Sequence, residues 1–154
     1  MKKTNALRSL DRAGVKYRTA EYDSRGEAVE ATEVARKIRM PPEQVFKTLV
    51  ASGADEHYVF VVPGGCELDL KKAALAARAK KVALVAVREL PGLTGYVRCG
   101  CSPLAMKRAF ATYIDETCRL YDEVAVSAGV IGLQVILNPD ALVEATPAIV
   151  ADLV

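Results

Sequence analysis

Only one histidine, His57, occurs among the 154 residues. A serine–histidine–acid triad would have to be built on it. His57 reads instead as a residue at a turn-to-strand edge. No Gly-x-Ser-x-Gly elbow occurs, which excludes hydrolases built on that strained turn. A glycine-rich phosphate loop ending in Lys-Ser or Lys-Thr is missing as well. No run of 18 apolar residues exists, so no segment reads as a membrane span. The basic start, Met1, Lys2 and Lys3, leads into Thr4 and Asn5 with no apolar stretch behind it, unlike a secretory signal. Internal repeats, low-complexity tracts and linkers are also absent.

Cysteine is scarce, at four residues: Cys66, Cys99, Cys101 and Cys118. An even count permits two disulfides. Without a secretory signal, and with enough chain for a core, reduced thiols in a cytoplasmic protein are the expectation. The spacing Cys99-x-Cys101 is too short for a structural zinc pair, and no second pair follows. No metal or cofactor is expected. An excess of charge of one sign is lacking too: 21 basic and 19 acidic side chains leave a net +2. So weak a field does not drive nonspecific nucleic-acid binding. Any RNA contact must come from a local cluster, and neither DNA nor a membrane is an expected partner.

The composition that remains, 51% hydrophobic and 26% charged, is that of a globular protein. Residues 1–154 fit one domain, able to bury about 68–70% of its unfolded surface. Residues 4–12 read as a helix capped by Thr4 and stopped by Gly14. Alternation marks a strand over 15–22. A second helix covers 27–39, with Val34, Ala35 and Ile38 on one face, and Pro41-Pro42 ends it. Strands follow at 46–52 and 58–62 around a turn at 53–56. Asp69 caps a helix running to about Arg78. A buried strand is predicted over 82–87, a connector at Pro91-Gly92 and Gly95, and a short extended piece over 96–98. Strands at 111–115, 124–127 and 133–137 precede a helix from Asn138 to Glu144. Pro147 is placed to open a last helix. The fold class is α/β (α+β): a curved, mixed, mainly antiparallel sheet forming a partial barrel, flanked by helices.

Three segments carry chemistry. Lys47 interrupts an apolar strand, where an ammonium must face water or meet an anion. Residues 95–103 run into a loop of small residues fixed by Pro103, a form that exposes backbone N–H groups to a developing oxyanion. Residues 127–133 form a turn whose glycines would let a ligand approach the backbone. Basic residues gather at Arg36-Lys37-Arg39, at Lys71-Lys72 with Arg78-Lys80-Lys81, and at Arg98 with Lys107-Arg108. The last group flanks the proline loop and is the expected RNA contact.

These segments together resemble the YbaK/EbsC family of aminoacyl-tRNA deacylases over about residues 5–150. The resemblance lies in Pro42-Glu43-Gln44-Val45-Phe46-Lys47-Thr48-Leu49, Leu68-Asp69-Leu70-Lys71-Lys72, Thr94-Gly95-Tyr96, Cys101-Ser102-Pro103-Leu104, Ile114-Asp115, and the stretch from Val126-Ser127 to Gly132-Leu133. It implies a curved mixed α/β fold and an enzyme that releases cysteine mischarged on tRNA(Pro), often beside prolyl-tRNA synthetase. Relatives remove alanine from the same tRNA. Lys47 matches the family's indispensable lysine, residues 99–103 its Gly-x-x-x-Pro loop, and Tyr22 a tyrosine at the end of the first strand. Tyr22, Thr48, Cys99, Pro103, Ser127, Gly129 and Gln134 are thus the expected substrate contacts. Two positions depart from the pattern: Cys99 stands where the loop begins with glycine, and Gln134 where the best-known subgroup has aspartate. A cysteine at a position needing positive φ would be strained.

An aminoacyl ester is intrinsically reactive, so positioning and charge stabilisation suffice. Lys47 is expected to hold the acceptor end. The N–H groups of Gly100, Cys101 and Ser102 are expected to polarise the ester carbonyl. For a cysteinyl substrate the resemblance implies attack by the substrate's own thiol, leaving as a cyclic thioester; an alanyl ester would need a bound water. Alternatives are a protein thiol nucleophile at Cys99 or Cys101, a noncatalytic tRNA- or synthetase-binding module, and a thiol-redox protein.

Overall fold

A computed structural model describes residues 3–154. The basic start at Met1 and Lys2 lies outside the described residues. The chain opens with α1 (Asn5–Arg12). Thr4 caps it as expected: its Oγ1 accepts from the Leu7 N–H at 3.2 Å and donates to the Ala128 carbonyl at 2.6 Å. β1 (Arg18–Glu21), α2 (Ala31–Ile38), β2 (Phe46–Ser52) and β3 (His57–Pro63) follow. Asp69 caps α3 (Leu70–Ala77), accepting from Lys71 and Lys72. Then come β4 (Ala83–Leu84), α4 (Leu90–Thr94), β5 (Ala111–Asp115), β6 (Val124–Ser127) and β7 (Leu133–Leu137). Asn138 caps α5 (Pro139–Ala145), and β8 (Ile149–Ala151) closes the order.

The strands make two sheets, β1-β7-β6 and β4-β2-β3-β5-β8. Pairs within the first sheet, and those of β2 with β3 and β4, are antiparallel. β3–β5 and β5–β8 are parallel. A parallel bridge between Val45 and Ala125 joins the sheets. The result is a mixed, mainly antiparallel α/β fold that curves without closing into a barrel. β3 is central, which explains its unbroken apolar run. Val59 and Val61 face a core with Leu7, Leu10, Ile114 and Leu137. Tyr58, Phe60 and Val62 face a second core under α3, where Phe60 stacks on Tyr113 with centroids 5.4 Å apart.

The structure differs from expectation in four places. The strand predicted over 82–87 shrinks to Ala83–Leu84, an edge piece paired with Ala51 and Ser52: Val82 is buried in the core under α3, whereas Leu84 and Val87 stand half-exposed at a cavity. The expected connector at Pro91-Gly92 is helical: Pro91 sits in the first turn of α4, where no N–H is needed, and Gly95 (φ 84) ends it. Residues 96–98 form no strand; the Gly100 N–H closes a turn on the Val97 carbonyl. The helix expected from Pro147 is β8, since β-branched Ile149 and Val150 add a strand to β5. Among the described residues no helix is long and apolar enough to cross a membrane.

Gly64 fixes how α2 meets the sheet. Its N–H donates to the Val45 carbonyl at 2.7 Å. A Cβ there would collide with the Ala31 Cβ and stand 2.9 Å from the Val45 oxygen. Gly64→Ala should therefore push α2 from β2 and lower stability by about 1–3 kcal/mol in denaturant unfolding; an unchanged midpoint would contradict this packing.

Candidate active site

Ala31 and Val45, held together by Gly64, belong to the wall of a cavity of about 470 Å³. β2 supplies its floor through Phe46, Lys47, Thr48, Leu49 and Val50. Leu84, Val85, Val87 and Leu90 add apolar lining, and Cys99, Cys101, Ser127 and Gln134 complete it. Lys47 is half-buried, and among the described residues no carboxylate lies within 4 Å of its ammonium. Glu30 and Arg98 also line the cavity but neutralise each other through a 2.8 Å ion pair. Lys47 is left as the unpaired charge.

Two cavity-lining side chains hold buried polar atoms without a partner among the described residues: Thr48 Oγ1 and Gln134 Oε1. Such atoms are costly in a dry protein and inexpensive where a ligand satisfies them. Gln134 stands on β7 opposite Ser127 of β6. That pair is brought to the loop by two glycines. The missing Cβ of Gly100 admits the Ile131 backbone nitrogen, which a Cβ would meet at 3.2 Å. Gly129 (φ 103) admits the Tyr96 ring at 3.0 Å. The Tyr96 hydroxyl then donates to the Leu104 carbonyl at 2.6 Å, which ties the two ends of the loop. Burial first, and Cys101 beside it second, push the Tyr96 hydroxyl up to about 12, so it remains a donor at neutral pH.

The predicted site residues divide accordingly. Lys47, Thr48, Cys99, Cys101, Ser127, Gln134 and Arg98 border one cavity. Gly100 does not act as an oxyanion donor in this arrangement, because its N–H is spent on Val97. Ser102 is fully buried, with its Oγ accepting from the Leu104 N–H at 3.2 Å, and Pro103 is buried behind it. Gly129 packs on Tyr96 and donates to the Ser127 Oγ at 3.1 Å, so it positions the site from outside the cavity. Tyr22 lies behind the wall among Val34, Val45 and Ile136, its hydroxyl buried without a partner. Lys107 and Arg108 are exposed and do not border the cavity. Three loop residues border the cavity, Arg98, Cys99 and Cys101, and among the described residues none of their N–H groups has a backbone acceptor; Cys101 is the buried one of the three. His57 is elsewhere, half-buried against Phe110 with centroids 5.9 Å apart. Glu30 has no counterpart in the sequence reading: 68 positions separate it from Arg98, and no local pattern joins them.

All four cysteines are free thiols. Burial pushes Cys101 up to about 11, opposed by a hydrogen bond from Thr94. Burial, and then Glu30, raise Cys99. Neither thiol is an attacking thiolate at neutral pH, which argues against a protein nucleophile. Cys99 has φ 64, in the left-handed region where a side chain costs about 1–2 kcal/mol.

Residues 26–145 match the profile of the aminoacyl-tRNA editing domain. The chain belongs to the aminoacyl-tRNA editing domain family. A protein of Enterococcus faecalis named "Putative Cys-tRNA(Pro)/Cys-tRNA(Cys) deacylase EbsC" is 40% identical over 94% of this chain and 88% of its own length. A crystal structure described as a "putative trans-editing enzyme for prolyl tRNA synthetase" is 27% identical, with a TM-score of 0.86 over 99% of this chain and 98% of that one. A structure from work on computational grafting of epitopes onto scaffold proteins is 27% identical, with a TM-score of 0.85 over 97% and 94% of the two chains. The editing-domain fold thus extends over nearly the whole chain.

Two outcomes follow for the thiols. Cys99→Gly should relieve the left-handed strain and raise stability by up to about 1 kcal/mol in chemical unfolding; a loss would contradict the strain. Cys101 and Cys118, both raised by burial from 9.0 to about 11, hold their protons more tightly when folded than when unfolded. Their contribution is therefore complete below pH 9 and lost as pH rises from about 9 to about 11. Cys101→Ala/Cys118→Ala should flatten that alkaline decline in a melting series, and an unchanged decline would exclude these thiols as its source.

Proposed function

We propose that the protein is a trans-acting editing deacylase that cleaves the ester joining cysteine to tRNA(Pro). Residues 1–154 act as one editing domain in the cytoplasm, beside prolyl-tRNA synthetase. The observation that carries this reading is an apolar cavity holding one unpaired ammonium, Lys47, and two unpartnered buried oxygens, Thr48 Oγ1 and Gln134 Oε1. A small, neutral-to-anionic group bearing its own donors fits that set. The aminoacylated 3′ end of a tRNA is such a group: phosphate and ribose oxygens for Lys47, and an α-amino group and thiol as donors for the two oxygens.

Lys47 holds the terminal ribose and phosphate oxygens. The Cys101 N–H polarises the ester carbonyl. The substrate's thiol sulfur attacks the carbonyl carbon, the carbon–oxygen ester bond breaks, and the thiol proton passes to the departing ribose oxygen. Cysteine leaves as a cyclic thioester. This route needs neither histidine nor a protein thiolate. Gln134, neutral where the best-known subgroup of the resembling family has a carboxylate, accepts a hydrogen bond without adding charge, so Ala-tRNA(Pro) is the second substrate to examine.

Release of labelled amino acid from Cys-tRNA(Pro), Ala-tRNA(Pro) and Pro-tRNA(Pro) tests the reading. Cysteine is released and proline spared. Lys47→Ala lowers the rate at least about 100-fold with an unchanged melting temperature. No release from any of the three leaves a binding module in place of an enzyme. Full activity in Lys47→Ala removes the mechanism.

A further inference from the structure

The cavity accounts for the end of a substrate and leaves the rest of an RNA without a track. Net charge cannot supply one, since the whole chain carries +2. The expected cluster near residues 98–108 is weakened by the pairing of Arg98 with Glu30. A different basic group is better placed. α3 ends at Arg78 in the left-handed region (φ 56), and the turn throws Arg78, Lys80 and Lys81 into solvent. Among the described residues none of these three has a carboxylate within 4 Å. All three line one open hollow of about 670 Å³, where three cations face two carboxylates, Asp55 and Glu56 of the β2–β3 turn.

The hollow and the cavity share a wall. In β4, Ala83 lines the hollow and Leu84 lines the cavity. Lys81 and Leu84 are three residues apart, at most about 11 Å of extended chain. Leu84 and Val87 are 51% and 54% exposed and both border the cavity, a shelf of apolar surface with no protein partner. We infer that the acceptor arm of the RNA crosses the edge strand β4, its phosphates held by Arg78, Lys80 and Lys81 and its terminal nucleoside resting on Leu84 and Val87. This rests on the deacylase reading of the cavity. Phosphate contacts position without reading sequence. The identity of the RNA is therefore not fixed by these residues, and their loss weakens binding evenly across sequences.

The test is fluorescence anisotropy of labelled tRNA(Pro) against salt concentration, for the intact chain and for Arg78→Gln/Lys80→Gln/Lys81→Gln. Each phosphate contact contributes about 0.7–0.9 to the salt slope. The triple variant should bind roughly tenfold more weakly near 0.1 M salt, with a slope smaller by about 2. Lys80→Gln/Lys81→Gln, which spares the helix end, should lose about 1.5 of slope, and melting curves verify that both variants fold. Unchanged affinity and slope in the triple variant would overturn the inference, as would transfer of the loss to Lys107→Gln/Arg108→Gln. A wild-type protein that deacylates while the triple variant binds normally sinks this track alone. One that shows the slope but releases no amino acid sinks the deacylase reading and leaves the track standing.

Discussion

The contact of the 95–103 loop with the 127–132 turn decides where Cys99, Cys101, Ser127 and Gln134 stand in the cavity wall. It exists because Gly100 and Gly129 have no side chains: one admits the Ile131 backbone and the other the Tyr96 ring. Larger residues would separate the loop from β6 and β7, and Cys101 would no longer line one space with Ser127 and Gln134. Tyr96 serves both sides, with its ring against Gly129 and its hydroxyl on Leu104. On the far side Gly64 plays the same part by seating Ala31 and Val45 together. The cavity is thus set by three places where backbone approaches without side chains between.

Its electrostatics follow from what that packing encloses. Apolar walls from β2, β4 and α4 lower the local dielectric, so each remaining charge acts more strongly than it would in water. Arg98 and Glu30 cancel, and the thiols of Cys99 and Cys101 are kept protonated by burial. One ammonium remains beside two oxygens that lack donors. Such a site recognises and orients. It suits a substrate whose bond is already labile and that brings its own nucleophile.

Local signals were legible in the sequence. Thr4 and Asp69 cap the helices they were expected to cap, and Asn138 caps the one it was expected to start, because capping depends on residues two or three apart. Central strands such as β3 declared themselves by unbroken apolar runs. What the sequence hid was non-local. β8 exists through its pairing with β5, some 35 residues away, which overrides the start signal of Pro147. Residues 82–87 all look buried because they are apolar, yet only the Val82 end is, and Leu84 and Val87 stand half-exposed at a cavity. The same division holds for the site. Lys47 and Thr48 could be found as a polar step in an apolar strand and by family resemblance. The engagement of the Gly100 N–H with Val97, the burial of Ser102 and the pairing of Glu30 with Arg98 depend on how the loop folds back.

The proposed function puts the aminoacyl end of a tRNA in the space between β2 and the 99–101 loop. A crystal structure with a non-hydrolysable 3′-amide analogue of cysteinyl-adenosine tests it most directly. The analogue should lie in the cavity, with donors within about 3.2 Å of Thr48 Oγ1 and Gln134 Oε1 and a ribose oxygen near the Lys47 ammonium. An analogue bound elsewhere, with those two oxygens still unpartnered, would contradict it.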